Sequence, residues 1–355
     1  MLPDTHALGL DPGRLGTALT AACRAPSLHN SQPWRFRVGP DVIELWADPE
    51  RVLPAADPEG REQRMACGAA LLTLRLALRG FGVRPTVTVL PDRARPDLIA
   101  EVRRGGERPP SPEELRLLAA VPRRHTNRRP FADAAVTAGE LTALQRAALD
   151  EGAWLHVVDD PTERVQVAEL AVAAHRAQLA DPAFVAELKR WTAVTAGRGD
   201  GVPATAGGPL PQPPARWVLR DFGDSSVATA TFEERPAVVV LTSHLSGRAA
   251  EVGAGQALQK VLLTATADGL AASFLSQLVE LPGPRERLRR LVRGAQLPQA
   301  VLRIGRGFPV PATPRSPSPR SSGPRWRRPE REPGRRRRAV ARDRAQRGCG
   351  TTEAR

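Results

Sequence analysis

Two short loops concentrate groups that can bind or position a ligand. The first is Pro26-Ser27-Leu28-His29-Asn30-Ser31-Gln32-Pro33-Trp34, and the second is Arg123-Arg124-His125-Thr126-Asn127-Arg128-Arg129-Pro130-Phe131. Guanidinium forks with a threonine hydroxyl supply the charge and multiple donors that a phosphate monoester requires. The amide and hydroxyl groups of the first loop can hydrogen-bond the edge of a flat heterocycle, with Trp34 packing nearby. Together the two loops suggest a phosphorylated aromatic cofactor. His125 has no second histidine or carboxylate at metal spacing, so no metal is expected. The Gly199-Asp200-Gly201 and Gly305-Arg306-Gly307 pairs lack the strand–GxGxxG–helix context of a dinucleotide fold. His29 reads as a packing or loop residue, Trp34 as core, and Cys67 as a small buried hydrophobe.

These loops need elements to hold them. Helical spacing of Leu15, Ala18, Leu19 and Ala22 predicts a helix from Pro12 to Cys23, and the first loop follows it directly. RFRVGPDVIELWAD reads as two strands around Gly39-Pro40, Arg64–Arg79 as a helix rich in small residues, and Thr86–Pro91 as a strand. Ser111-Pro112-Glu113-Glu114 opens another helix. The second half then echoes the first. Thr137–Val158 resembles the first helix plus QPWRFRV, with Gly139 for Gly13, Leu141 for Leu15 and Trp154 for Trp34. Ala254–Leu270 resembles Cys67–Val83, with Gly255 for Gly68, Ala257 for Ala70, Leu258 for Leu71 and Gly269 for Gly82. Two echoes in the same order imply duplication. Only the first copy carries the SLHNSQ loop. Only the second carries an insertion that includes the Gly/Pro-rich stretch Gly197–Pro214, a lid candidate. ERPAVVVLTS and QAVLRIG read as buried strands.

Charge is unevenly spread. Residues 315–355 contain 14 Arg and four acids, so this tail carries +10 of the net +14. Its Arg/Pro/Ser composition predicts disorder, and one tryptophan, Trp326, supplies little for base stacking, so nucleic-acid binding is not expected. No apolar run approaches the roughly 18–20 residues of a membrane span. The N-terminus does not read as a signal peptide, and three unpatterned cysteines fit a reducing compartment, so a cytoplasmic location is expected.

The motifs carry a resemblance. APSLHNSQPWRF resembles the APSxxNxQPW signature of FMN-dependent nitroreductases, and RRHTNRRPF is similar to that family's N-terminal phosphate motif. In ordinary members the Arg motif precedes the APS loop in one short subunit, and two subunits share each FMN. Here the order is inverted across two copies, which resembles the two-domain actinobacterial Acg-type branch, over about residues 8–315. The resemblance implies an α+β nitroreductase-like fold, a degenerate tandem repeat forming a single-chain pseudo-dimer with one complete site. The expected organisation is a first half at 1–120, a second half at 121–315 with a lid-like insertion at about 160–250, and the basic tail at 316–355. By position, Arg124, His125, Thr126 and Arg128 would hold the FMN phosphate and ribityl chain. Ser27 and Asn30 would reach the flavin from the other half. Leu28 stands where many relatives have a polar residue. Ser276 and Gln277 would contact the ring, and Arg315 would match the C-terminal phosphate arginine. The implied activity is ping-pong transfer from NADPH or NADH through FMN to a small-molecule acceptor such as a nitroaromatic or quinone. No catalytic side chain is implied, and a further homodimer is an option. The alternative is an FMN-binding or storage protein with little turnover, suggested by the degenerate second copy and the insertion.

Overall fold

Both halves of the chain share the order helix, two strands, helix, two strands, and the second half adds helices between the strands of each pair. The structure, a computed structural model, describes residues 6–192, 198–210, 217, 220, 222, 229–233, 236–292, 296–310 and 313–316. The first half contains α1 (Pro12–Ala22), β1 (Trp34–Gly39), β2 (Val42–Ala47), α2 (Arg61–Gly80), β3 (Val83–Val89) and β4 (Leu98–Glu107). α3 (Pro112–Ala120) and the short β5 (Phe131–Ala132) lead into the second half. That half contains α4 (Ala138–Leu149), β6 (Trp154–Val157), α5 (Pro161–Leu179), α6 (Pro182–Thr192), β7 (Ala237–Ser243), α7 (Arg248–Ala267), β8 (Ala271–Phe274), α8 (Gln277–Glu280), α9 (Pro282–Leu291) and β9 (Leu297–Gly307).

The sheets repeat the same order. The first is β1-β2-β4-β3. The second runs β6-β7-β9, with β8 and β5 both pairing β9, and every strand pair in either sheet is antiparallel. The halves differ in their connections. The first half passes from β1 to β2 in two residues, whereas the second uses 158–236 to pass from β6 to β7. Conversely, eleven residues join α1 to β1 (23–33) and four join α4 to β6 (150–153). The first loop and the insertion are therefore additions to one shared plan.

The two halves meet along α2 and α7. Both helices have 20 residues, with Gly68 and Gly255 each in the eighth place. A Cβ on Gly68 would lie 2.1 Å from the Val252 carbonyl oxygen, and one on Gly255 would lie 2.0 Å from that of Met65. Side-chain-free positions are what let the backbones approach so closely. Val252 of α7 packs into the core of the first half, and Met65 of α2 into that of the second. Gln259 of α7 donates to Thr73 Oγ1 of α2 at 2.9 Å, satisfying two buried polar groups at this interface. The second sheet is covered on both faces. Val239 and Leu241 face α4 and α7, while Val238 and Val240 face the side covered by α5, α8 and α9. This two-sided burial accounts for the unbroken apolar run AVVVL.

Several expectations shift in detail. The helix expected at 64–79 begins three residues earlier, at Arg61, and the strand expected at 86–91 spans 83–89. β4 and α5 were not anticipated. The range 160–250 also contains β7, a central strand, and the start of α7. Trp34 is buried as expected, but its echo Trp154 is 50% exposed on edge strand β6. Cys67 is fully buried, and burial pushes its thiol well above the ordinary range. Apart from Arg315 and Ser316, the tail expected to be disordered lies outside the described residues. Among the described residues, no helix is long and apolar enough to cross a membrane.

Candidate functional site

A cleft of about 950 Å³, counted to its open mouth, lies where the two halves and the insertion meet. The first loop lines one wall. Its backbone is unusual: His29, Asn30 and Gln32 have φ of 52°, 54° and 51°, three of the five non-glycine positive-φ residues described. Such conformations persist when surrounding contacts over-determine them. Those contacts are specific. Ser27 Oγ accepts from the Gln32 amide at 2.9 Å. Asn30 Nδ2 donates to the carbonyls of Gly201 and Pro314, both at 2.9 Å, and its Oδ1 accepts from Arg315 at 2.6 Å. Gln32 Nε2 donates to the Gly199 carbonyl at 2.7 Å, and its Oε1 accepts from the Ser316 amide at 3.1 Å. Arg51 donates to the Ser31 carbonyl and pairs with Asp200 at 2.5 Å. The loop thus clamps the insertion and the C-terminal segment into one wall.

The second loop is pinned to β8. Thr126 bridges Ala272, the Asn127 amide donates to the Ala272 carbonyl at 2.9 Å, and Asn127 Nδ2 donates to the Phe308 carbonyl at 3.0 Å. This attachment delivers Arg124, Thr126 and Arg128 to the cleft. Arg124 donates to the Arg24 carbonyl at 3.1 Å, while its buried Nε has no partner. Arg128 donates to the Ala206 carbonyl at 3.0 Å and lies over the Phe222 ring, 4.4 Å from its centroid. Arg315 reaches the same cleft. None of Arg124, Arg128 and Arg315 forms an ion pair with a described carboxylate. Burial, then neighbouring Arg128 and Arg24, push Arg124 down to about 10. Burial and Arg220 push Arg128 down to about 10. Burial and Arg124 push Arg315 down to about 9. All three nevertheless remain cationic at neutral pH. A cluster of like charges without counter-charge favours an anion strongly.

Other walls are apolar or neutral. Met65, Ala66 and Ala69 of α2, Leu258 of α7, Phe274 of β8 and Leu28 supply apolar surface. Leu28 also packs into the cluster of Leu53, Phe184, Leu188 and Trp191, which seats α6. Ser273, Ser276 and Gln277 add polar groups from β8 and the turn after it. Glu62 lines the cleft beside its ion-pair partner Arg61, and burial pushes its carboxyl up to about 7.

No family model matches the chain. It is 34% identical over 317 residues to "Putative NAD(P)H nitroreductase Rv3131" of Mycobacterium tuberculosis H37Rv, covering 87% of this chain and 90% of that protein. It is 31% identical over 312 residues to "Putative NAD(P)H nitroreductase acg" of the same strain, covering 85% and 92%. The chain belongs to this nitroreductase family. A nitroreductase with bound FMN from Desulfitobacterium hafniense DCB-2 covers 57% of this chain at 15% identity, with a TM-score of 0.36, too low to bear on the site.

Of the residues that nitroreductase resemblance singled out, the structure brings Ser27, Asn30, Arg124, Thr126, Arg128, Ser276, Gln277 and Arg315 to one cleft. His125 does not line it. It is half-buried beside Arg124, and burial followed by that charge lowers its pKa. Asn30 lines the cleft with its amide committed, so it acts mainly by holding Arg315. Sequence reasoning missed Arg220 and Phe222, whose stretch RWVLRDFG carries no motif, and Glu62, which is distant in sequence from both loops. It also underrated His29. His29 is 4% exposed, lines the cleft, and has no hydrogen-bond partner on either ring nitrogen among the described residues. A buried polar atom left unpaired costs about 1–3 kcal/mol.

Proposed function

We propose that the cleft binds FMN and that the chain is an FMN-dependent NAD(P)H oxidoreductase acting on a small-molecule acceptor such as a nitroaromatic or quinone. One observation carries this reading: Arg124, Arg128 and Arg315, supplied by the second loop and the C-terminal segment, share a cleft with the SLHNSQ loop of the first half and have no described carboxylate partner. Unpaired buried donors, such as Arg124 Nε, fit a phosphate dianion. The apolar surfaces of Met65, Ala66, Ala69 and Leu258 fit a flat ring, and Ser273, Ser276 and Gln277 offer groups for its polar edge. The residue boundaries that go with this reading are a first half at 1–120 and a second at 121–315. The halves share one site as two subunits would.

In this mechanism Arg124, Arg128 and Arg315 bind the phosphate, with Thr126 as an added hydroxyl donor. Asn30 holds Arg315 in place. The clamp of Asn30, Gln32 and Arg51 onto residues 199–201 closes one wall and limits water. Bound FMN would supply two-electron redox chemistry, accepting a hydride from NADPH or NADH and passing electrons to the acceptor in a ping-pong cycle. No side-chain acid or base is obligatory.

Calorimetric titration tests the binding half. FMN should bind about one per chain, and riboflavin, which lacks the phosphate, should bind at least about tenfold more weakly, since charge-assisted hydrogen bonds contribute about 1.5–3 kcal/mol each. Equal affinities would sink the phosphate assignment. A second reading, FMN storage with little turnover, draws on the insertion: Arg220 and Phe222 line the cleft, and residues 199–201 are bonded to its first loop. Bound FMN that NAD(P)H does not reduce would favour it.

A further inference from the structure

We propose that His29 is the recognition residue for the electron acceptor, hydrogen-bonding an uncharged oxygen of a small aromatic substrate, such as a nitro or carbonyl oxygen. The inference rests on the oxidoreductase reading and extends it to substrate choice.

The geometry of His29 is specific. It lines the cleft while being almost fully buried, and both ring nitrogens lack a partner among the described residues. Its ring meets Phe184 of α6 edge-on, with centroids 6.5 Å apart and planes at 62°. The φ of 52° is held by the clamp on either side of it, from the Ser27 turn to the Asn30 and Gln32 bonds. A left-handed backbone at a histidine, stabilised by its neighbours, holds the ring where neither nitrogen has a hydrogen-bond partner among the described residues. The ring N–H is the donor left for an accepting atom of a molecule in the cleft.

The charge state narrows what that is. Burial, then Arg220 and Arg128, hold the imidazole well below its usual pKa. It is therefore neutral at physiological pH, with one N–H donor and one lone pair. A phosphate is already matched by Arg124, Arg128 and Arg315, and a neutral imidazole adds little to a dianion beside three guanidiniums. Its own match is an uncharged oxygen. The surroundings fit an aromatic carrier for that oxygen: Leu28 and Phe222 supply apolar surface, with the Arg128 guanidinium stacked over Phe222. Arg220 is compensated by Glu280 at 2.5 Å, so it adds less unbalanced charge at this end of the cleft.

The test compares two ligands of similar shape by calorimetry, with no reductant present. 4-Nitrobenzyl alcohol offers nitro oxygens, and 4-isopropylbenzyl alcohol does not. The wild-type protein should prefer the nitro compound by at least tenfold, His29→Leu should erase that preference, and His29→Gln, which keeps an N–H donor, should retain part of it. FMN affinity should stay within about twofold in both variants. A preference that survives in His29→Leu, or no preference in the wild type, overturns the proposal. A loss of FMN affinity beyond fivefold also overturns it, assigning the imidazole to the cofactor instead. The FMN titration by itself reports on the oxidoreductase reading, and the alcohol contrast can be measured with or without bound FMN, so the two failures are distinguishable.

Discussion

Gly68 and Gly255 occupy equivalent places in two 20-residue helices, and each makes room for the carbonyl three residues before the other. The Cβ of an alanine at Gly68 would fall 2.1 Å from the Val252 oxygen, and at Gly255 2.0 Å from that of Met65. Such reciprocity is the mark of a two-fold interface, here built within one chain. The cleft depends on it, because Met65, Ala66 and Leu258 line the cleft from these same helices.

The first prediction follows from that packing. Gly255→Ala should destabilise the protein by about 1–3 kcal/mol or more, the cost of overpacking a close contact. Gly253→Ala, two residues away on the same helix with nothing within 4 Å of its would-be Cβ, should be neutral or stabilising by about 0.5–1 kcal/mol. Urea denaturation of both variants checks the opposite signs.

Uncompensated arginines predict a response to anions. In cofactor-free protein, about 10 mM inorganic phosphate should raise the thermal midpoint, as any ligand of the folded state does. Arg315→Ala should abolish most of that rise and weaken FMN binding about tenfold to a hundredfold, in line with about 1.5–3 kcal/mol per charged hydrogen bond. Asn30→Ala should weaken FMN binding as well, because it releases Arg315. An unaltered phosphate response in Arg315→Ala would remove that residue from the anion site.

Glu62 predicts a pH dependence with a definite sign. Burial outweighs the attraction of Arg61 and raises its carboxyl to about 7, against an ordinary 4.5. A group whose pKa is raised on folding contributes stability below its unfolded pKa and loses it as pH rises through the folded one. The window is therefore about pH 4.5 to 7. Glu62→Gln, neutral throughout, should be more stable than wild type at pH 8 and should lose that advantage at pH 5. Equal differences at both pH values would show that Glu62 stays charged.

The Arg51–Asp200 pair, at 2.5 Å, ties the insertion to the wall below the first loop. Asp200→Ala should speed FMN release by about tenfold, since truncating one member of a buried pair acts mainly on the dissociation rate. Stopped-flow release into excess apo-flavodoxin measures it. An unchanged rate would mean that residues 199–201 do not gate the cleft.

Much of the plan was legible because duplication leaves paired marks. Gly68 and Gly255 face a neighbouring backbone, and Gly82 and Gly269 follow their helices with φ of 79° and 76°, so each pair is fixed by geometry that only its own fold position demands. The second loop was legible because its clustered guanidiniums mark a place for an anion, and the first because its run of amide and hydroxyl side chains exceeds what a turn needs. β4 was not, although Leu98-Ile99-Ala100 is apolar, since its later residues Arg103, Arg104, Gly105 and Gly106 resemble a turn. Arg220 and Glu62 became visible only through folding, which brings residues far apart in sequence to one cleft. His29 looked ordinary because a lone histidine carries no signal; its burial and its unpaired nitrogens are properties of the fold.

The central claim is that the cleft binds FMN and passes electrons through it. Its most direct test is the visible spectrum of purified protein mixed with FMN, then with NADPH or NADH under anaerobic conditions. The account predicts flavin bands that are perturbed on binding and bleach on adding either nucleotide, with colour restored by a nitroaromatic or quinone. Failure to bind FMN, or bound FMN that neither nucleotide bleaches, would contradict it.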